Sequence, residues 1–546
     1  MIEKKYISLF LVIIFIVIGF YLRSYHINYP VIGYHNWKET HYLTEARNFA
    51  RYGFFRYGFF VPVWNYPSIK SDPSGVHADT FPTISILAAI SFMIFGYKLW
   101  AARIIGIIMT TACIPLMYLI IKEIFNREDM AITAAFLTSV NPLFVFFSHN
   151  VQLINVAIFF MLLSLYSFLV WRRKRSNIYF ILSFVFLSIS VLTKYPFLII
   201  LIPIIALFPF KEIGVKGIKD NPVPYIVSIF VMLSIPAWMV YIDSVTTGRS
   251  TANLSLIEPW RLTTKEFWDI TPSYIADSIT WVGLFFAVLG IIFLIISTVK
   301  KISISGIFLW SYLVAFFIFV VIMARKIGQH SYHYYPVIPL AITLISYSLI
   351  RIADLAKNLK IEGKRIKYIN IIVIVFLLII FIPSTIEAIN RQFDTQFYGL
   401  DIAGEYLKEH KKDGERLMHS SFQAYGVLWH GDMMGTRGIP KTVDDMKFAE
   451  EKLNATWIFI YNWDFYIIND KKYKELWDYI RNNYRLVQFA FIREKNRGII
   501  PLYMLFGRGG SFDANNITNM VKNKPIKHRY YELTNKRVRV DYINIE

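Results

Sequence analysis

H-N-W-K-E-T-H-Y-L-T-E-A-R-N-F-A (His35–Ala50) and H-A-D-T-F-P (His77–Pro82) decide how this chain is read. Both lie in one stretch, Arg23 to about Lys98, that is too polar to sit in lipid and follows directly on an apolar run, Tyr6–Leu22. Connections between elements are usually short, so a loop this long at the start of an apolar chain needs a function. Carboxylates, histidines and a basic residue gathered in such a loop are what group transfer at a membrane surface requires.

Working outward, the 546 residues are 55% hydrophobic, 17% aromatic and only 18% charged, with mean hydropathy +0.43. These values exclude a soluble globular protein and indicate a polytopic membrane protein. The formal net charge is +20, yet nucleic acid is not the expected partner. The lysines and arginines are parcelled into short loops between apolar runs, which is the positive-inside pattern and suits an anionic lipid bilayer. The single cysteine, Cys113, lies within an apolar run, so no intrachain disulfide forms. Lys4 and Lys5 precede the first apolar run and no small-residue cleavage site follows it, so it reads as an uncleaved anchor.

A span needs about 20 apolar residues. The candidate spans, about eleven, are Tyr6–Leu22, Leu99–Ile121, Met130–Phe147, Leu153–Trp171, Ile178–Leu192, Phe197–Phe210, Pro222–Ile242, Ile279–Thr298, Ser303–Ala324, Val337–Ile350 and Ile369–Ala388. With the N-terminus in the cytoplasm, the loops holding Lys122 and Arg127, Arg172–Arg175, Lys211–Lys219, Lys300–Lys301 and Arg351–Lys367 fall inside. Arg23–Lys98, Ser148–Gln152, Thr193–Pro196, Asp243–Asp277, Arg325–Pro336 and the tail fall outside. Phe81–Gly96 is apolar but short and begins with a proline. Counted as a span it would put Arg172–Arg175 outside, so it is expected to be an interfacial helix.

The fold class expected is therefore an α-helical polytopic membrane protein with a soluble extracytoplasmic α/β domain at its C-terminus. The membrane domain is expected over 1–390, including the outer loop 23–98, and the soluble domain over 391–546. In the tail, helix signals at Asp401–Lys411, Asp444–Leu453 and Lys471–Asn482 alternate with strand signals at Arg416–Ser420, Thr456–Tyr461, Leu486–Ile492 and Ile500–Phe506. It carries no phosphate-binding glycine loop. Asn253, Asn454 and Asn516 sit in N-x-S/T sequons. The tandem R-Y-G-F-F (Arg51–Phe60) is a local duplication only.

The apolar runs carry almost no charge at mid-membrane, where ion-coupled transporters keep carboxylates. The ionisable groups gather at the outer ends instead: Lys38, Glu39, His41, His77, Asp79, Arg103, His149, Lys194, Arg325, Lys326, His330 and His333. Glu39 is placed to act as a general base, or to form an ordinary surface ion pair. Asp79 with His77 offers carboxylate and imidazole to a divalent cation, Mg or Mn, the one cofactor candidate. The stronger reading of Asp79 or Thr80 is a cap for the helix at Phe81. Arg103 and Lys194 suit a phosphate or snorkel to headgroups. His330 and Tyr334, in Q-H-S-Y-H-Y-Y-P (Gln329–Pro336), suit a phosphate or sugar, and Tyr334 and Tyr335 also suit an aromatic belt.

Taken together these stretches resemble the GT-C class of polyprenyl-phosphate-sugar-dependent glycosyltransferases. The nearer branch includes the protein O-mannosyltransferases and the lipid A aminoarabinose transferase. The likeness covers roughly residues 5–390. It rests on the long first loop, E-A-R-N-F (Glu45–Phe49), F-P before the interfacial helix and then F-G-x-x-x-W-A-A-R (Phe95–Arg103), N-P-L-F-V-F-F-S-H-N (Asn141–Asn150), L-T-K-Y (Leu192–Tyr195) and, in looser form, H-x-Y-Y-x-x-x-P over His333 to Pro339. Two departures stand out. Many members have an Asp-Glu pair where this chain has Lys38-Glu39, and an acidic residue in the second outer loop where this chain has Ser148–Asn155. The second departure weighs against a metal-dependent mechanism.

The resemblance implies an inverting transfer of sugar from a polyprenyl- or dolichyl-phosphate donor to a glycan, lipid or protein acceptor on the outer face. Glu39 or Asp79 would be the base. Arg103, Lys194, His330 and Tyr334 would hold the donor phosphate, with Lys38, His41, His77 and His149 lining the site. The alternatives are a lipid or polysaccharide flippase or transporter, and a non-catalytic glycolipid-binding relative.

Overall fold

The computed structural model describes residues 2–64, 74–77, 79–246, 257–300, 303–357, 360–361, 364–365, 368–420, 423–494, 498–513 and 517–545. Asn253, Asn516 and Lys301 lie outside the described residues. The chain resolves into two compact units.

The membrane unit comprises Met1–Ile27, Ala78–Leu87 and Leu99–Arg391. Among the described residues, eight helices are long and apolar enough to cross a membrane, or ten if each of two bent pairs is one span. The eleventh apolar run, Ile178–Leu192, falls on a shorter helix, Asn177–Thr193. The bends have local causes. Glu128–Val140 ends at Asn141, whose side chain caps the next helix by accepting from the Phe144 amide at 3.1 Å, and Pro142 starts that helix. Tyr195–Leu207 turns through 97° into Phe210–Asp220 around Phe208 and Pro209.

Arg23, fully buried at the end of the first helix, donates to the Gly19, Ser139 and Thr138 carbonyls at 3.0, 2.8 and 2.9 Å. At Thr138 and Ser139 it satisfies carbonyls that the end of the helix Glu128–Val140 leaves open. Loops that sequence assigns to one membrane face are tied together by ion pairs. Arg173 meets Glu123 at 3.3 Å, Arg175 meets Glu212, and Arg127 meets Asp354 at 2.5 Å.

The helix over Thr83–Phe95 has 13 residues, about 20 Å of length, too short for a hydrocarbon core of about 30 Å. It also corrects the capping assignment. The helix begins at Thr83, so Asp79 stands too far upstream to reach the second and third helical amides as a cap does.

The second unit comprises Asn28–His77, Ala88–Lys98 and Gln392–Glu546. Most of the first loop, assigned by sequence to the membrane domain, thus packs with the tail. The tail carries β1 (Arg416–His419), β2 (Met434–Gly435), β3 (Ala455–Tyr461), β4 (Tyr484–Glu494), β5 (Gly498–Arg508), β6 (Lys527–Glu532) and β7 (Arg537–Asn544). They form one sheet in the order β2-β1-β3-β5-β4-β7-β6. β1 is parallel to β2 and β3, and the remaining pairs are antiparallel.

Helices Leu400–His410, Val443–Leu453 and Lys474–Asn483 cover this mixed sheet. On one face Leu417, Phe459, Val487 and Leu505 pack with Leu400, Leu407 and, from the first loop, Ile32. On the other, Ile458, Phe489 and Phe506 pack with Met446 and Trp477. This alternation is what places residues i and i+1 of a strand on opposite faces. Asn454 adopts φ 52° as the residue ending Val443–Leu453, a conformation asparagine tolerates well.

Candidate functional site

In the second unit the helix Asn36–Tyr52 buries Glu39, His41, Glu45 and Arg47 among its apolar residues. Glu39 is 2% exposed. His41 Nε2 lies 2.8 Å from the Glu45 carboxylate, one turn on. Trp64 stacks on His77 with ring centroids 3.7 Å apart and planes 4° from parallel, and His41 meets Trp64 edge-on at 5.1 Å. Lys38 lays its ammonium over the Trp37 ring at 4.4 Å. Burial, with His41, Lys38 and Arg437 nearby, pushes the His77 imidazole down to about 3, so it is neutral near pH 7.

The same helix is anchored to the tail. Arg47 pairs with Asp432 at 3.0 Å, Arg51 holds Asp432 by two prongs at 2.9 and 2.6 Å, and Arg47 lies 4.6 Å over the Trp429 ring. Burial lowers Arg47 to about 10, opposed by the Asp432 charge. Arg47, Asp432 and Trp64 are neighbours of the candidate residues that sequence reasoning missed. Arg47 lay inside the quoted E-A-R-N-F motif, which was the available signal.

In the membrane unit a second polar group forms at helix ends. Lys194 stands at the break between Asn177–Thr193 and the turn Tyr195–Ile200. Its ammonium is 6.0 Å from the Tyr332 ring centroid. Burial lowers the Lys194 pKa, Asp79 opposes that shift and Lys326 adds to it. The Tyr195 hydroxyl donates to the Asp79 carbonyl at 3.0 Å, which fixes the chain at Asp79. Tyr332 packs on His333 (4.2 Å) and His330 (5.5 Å). Asp79, Lys194, Lys326, Tyr332 and the two histidines are therefore one polar cluster.

The other sequence candidates are placed differently. Arg103, 2% exposed, donates to the His26 and Ile27 carbonyls at 3.3 and 3.0 Å. It is buried rather than snorkelling. His149 lies edge-on to Phe146, and burial beside Arg103 and His26 pushes its pKa well down. Tyr334 is buried, 8% exposed. Tyr335 donates to the Leu143 carbonyl at 2.9 Å and is buried. His77 belongs to the second unit and Asp79 to the membrane unit. Among the described residues, no group of three or more His, Cys, Asp or Glu side chains is placed to hold a metal ion.

This arrangement defines a multi-pass membrane protein with the fold of the GT-C glycosyltransferases. A family model described as dolichyl-phosphate-mannose-protein mannosyltransferase matches residues 77–241. The chain is similar to the oligosaccharyltransferase AglB of Archaeoglobus fulgidus, solved with an inhibitory peptide and a dolichol-phosphate. The TM-score is 0.58 at 14% identity, over 94% of this chain and 75% of that one. It is similar to ArnT of Cupriavidus metallidurans bound to undecaprenyl phosphate, with TM-score 0.52 and 11% identity over 91% and 97%. It is also similar to the mycobacterial arabinofuranosyltransferase AftD, with TM-score 0.52 and 12% identity over 92% and 40%. A comparison with curated protein sequences finds no match.

Proposed function

We propose that this chain is an inverting glycosyltransferase that moves a sugar from a polyprenyl- or dolichyl-phosphate donor to a glycan, lipid or protein acceptor on the extracytoplasmic face. The observation that carries the reading is Lys194, held 6.0 Å from the Tyr332 ring at a helix break, with the charges of Asp79 and Lys326 close enough to act on it. A cation steadied by an aromatic ring keeps its charge, which favours an anion of the size of a phosphate.

As the bond from the anomeric carbon to the phosphate oxygen breaks, the polyprenyl phosphate gains one negative charge. Lys194 and Lys326 stabilise that charge from fixed positions. The acceptor hydroxyl attacks the anomeric carbon from the opposite side and gives its proton to a carboxylate. Glu39 in the second unit and Asp79 in the membrane unit are the two candidates. Transfer should persist in EDTA; loss that Mg or Mn restores would overturn a metal-free course.

The positive-inside rule orients the molecule. The end carrying Lys122, Arg127, Arg172–Arg175, Lys211 and Arg351 is assigned to the cytoplasm, and the Lys194 cluster and the soluble unit to the outside. Release of polyprenyl phosphate from a sugar-charged donor by the reconstituted chain tests the function. A chain that moves the donor lipid across the bilayer unconsumed would overturn it.

A further inference from the structure

Along the helix Ile338–Ala356, Arg351 lies 13 residues beyond Ile338, about 20 Å. The Tyr332 turn precedes that helix, so Arg351 marks the end of the membrane unit opposite the Lys194 cluster. A cavity of about 280 Å³ opens there, near the lower size of small-ligand sites.

Its polar wall is Arg351, Tyr347, Ser297, Ser303 and Ser305. The Tyr347 hydroxyl accepts from Arg351 Nε and Nη2 at 3.1 and 2.9 Å and donates to Ser297 at 3.2 Å. The guanidinium also lies 5.1 Å from the Tyr347 ring centroid. Arg351 is thus held in a fixed orientation, and among the described residues Nη1 has no protein acceptor and no carboxylate pairs with the group. Arg127, which also lines the cavity, is answered instead by Asp129 and Asp354 at 2.6 and 2.5 Å. Ser303 caps the helix Ile304–Ile327 by accepting from the Gly306 amide at 3.1 Å and shares a 2.8 Å bond with Ser305. The positive end of that helix therefore faces the same space. Leu294, Leu309 and Ile350 make the other wall apolar.

We propose that this cavity binds the phosphate of an anionic phospholipid headgroup, with Arg351 as the charged anchor, the remaining hydroxyl proton of the Ser303–Ser305 pair as a donor and the aliphatic wall against the first part of the acyl chains. A fixed, unanswered arginine at a membrane end, with hydroxyls on one side and aliphatic side chains on the other, matches a group that is charged at one end and apolar at the other. The site lies apart from the transfer chemistry and does not depend on it.

The test is native mass spectrometry of the full chain in detergent, titrated separately with dioleoylphosphatidylglycerol and dioleoylphosphatidylcholine. The expected result is retention of phosphatidylglycerol over phosphatidylcholine, weakened about tenfold by Arg351→Ala. Should Arg351→Ala fail to fold, Arg351→Gln and Tyr347→Phe give the same reading with less disturbance. Arg173→Ala, at a separate cavity with Glu123 and Glu212, should leave retention unchanged. Equal retention of both lipids, retention indifferent to Arg351, or an equal loss in Arg173→Ala overturns the proposal. So does displacement of phosphatidylglycerol by millimolar inorganic phosphate, which would make free phosphate the ligand.

Discussion

Lys194 holds its ammonium 6.0 Å from the centre of the Tyr332 ring, at the break between two helices. The contact joins the L-T-K-Y run to the H-S-Y-H-Y-Y run, about 140 positions apart in sequence. A lysine in water gains little from an aromatic face, but a desolvated one gains more. The ring steadies the ammonium without neutralising it. A phosphate would restore the charge balance that burial removes.

The tie between the first loop and the tail gives the first prediction. Asp432→Ala leaves the buried Arg47 guanidinium without its carboxylate. The cost should be about 2–3 kcal/mol, below that of a fully buried pair because Asp432 keeps some exposure. Thermal unfolding of the purified chain measures it. An unchanged melting temperature would mean solvent already screens the cluster.

The tail shows what its sequence could reveal. β1, β3, β4 and β5 coincide with strand signals because their alternating apolar residues feed two cores. β6 and β7 were not singled out: K-H-R-Y-Y-E carries the charges that guard the edge it forms, and R-V-R-V-D-Y-I-N, one strand in from that edge, alternates apolar residues with charges. In the membrane unit every apolar run became a helix, but bends at Asn141 and Pro209 depend on local caps that hydropathy does not register. The site's charges were legible as a set. Their partners were not, since Arg47 and Asp432 are brought together by folding. The cap reading of Asp79 failed because the helix starts later, at Thr83, beyond Pro82.

The base is separated by a pair of variants. Glu39→Gln keeps volume and hydrogen bonding but cannot take a proton; the protein should fold, bind donor lipid and lose most transfer. Asp79→Asn removes the Asp79 carboxylate from the lysine cluster and should weaken transfer less if Glu39 is the base. A reversed order in initial rates would move the base to Asp79. Activity in both single variants and in the double variant would exclude both carboxylates and direct attention to His41.

The stability of the second unit should fall as the solution is acidified from about pH 6.5 toward pH 3. His77 and His419 are held neutral by burial down to about 3 and 4. The unfolded chain binds those protons near 6.5, so acid favours unfolding throughout that window, and the contribution is fully present above it. His77→Phe keeps a ring against Trp64 and removes one of the two groups. Its melting temperature should depend less on pH than that of the wild type. A parallel pH profile would show that His77 titrates freely in the folded state.

Orientation rests on the sorting of lysine and arginine. In a Cys113→Ser background, single cysteines at Lys174 and Lys412, both exposed, should label differently with a membrane-impermeant maleimide in intact cells. Lys412→Cys should react and Lys174→Cys should not. The opposite pattern would place the soluble unit in the cytoplasm and invert the assignment of the two membrane ends.

The central claim is tested by offering the reconstituted chain a panel of labelled sugar-charged undecaprenyl and dolichyl phosphates and following the polyprenyl phosphate released. The account predicts release from at least one donor. Lys194→Ala should slow it by roughly two to three decades, the rate equivalent of about 2–4 kcal/mol of lost charge stabilisation. Release that is indifferent to Lys194, or no release from any donor by a folded chain, would contradict it.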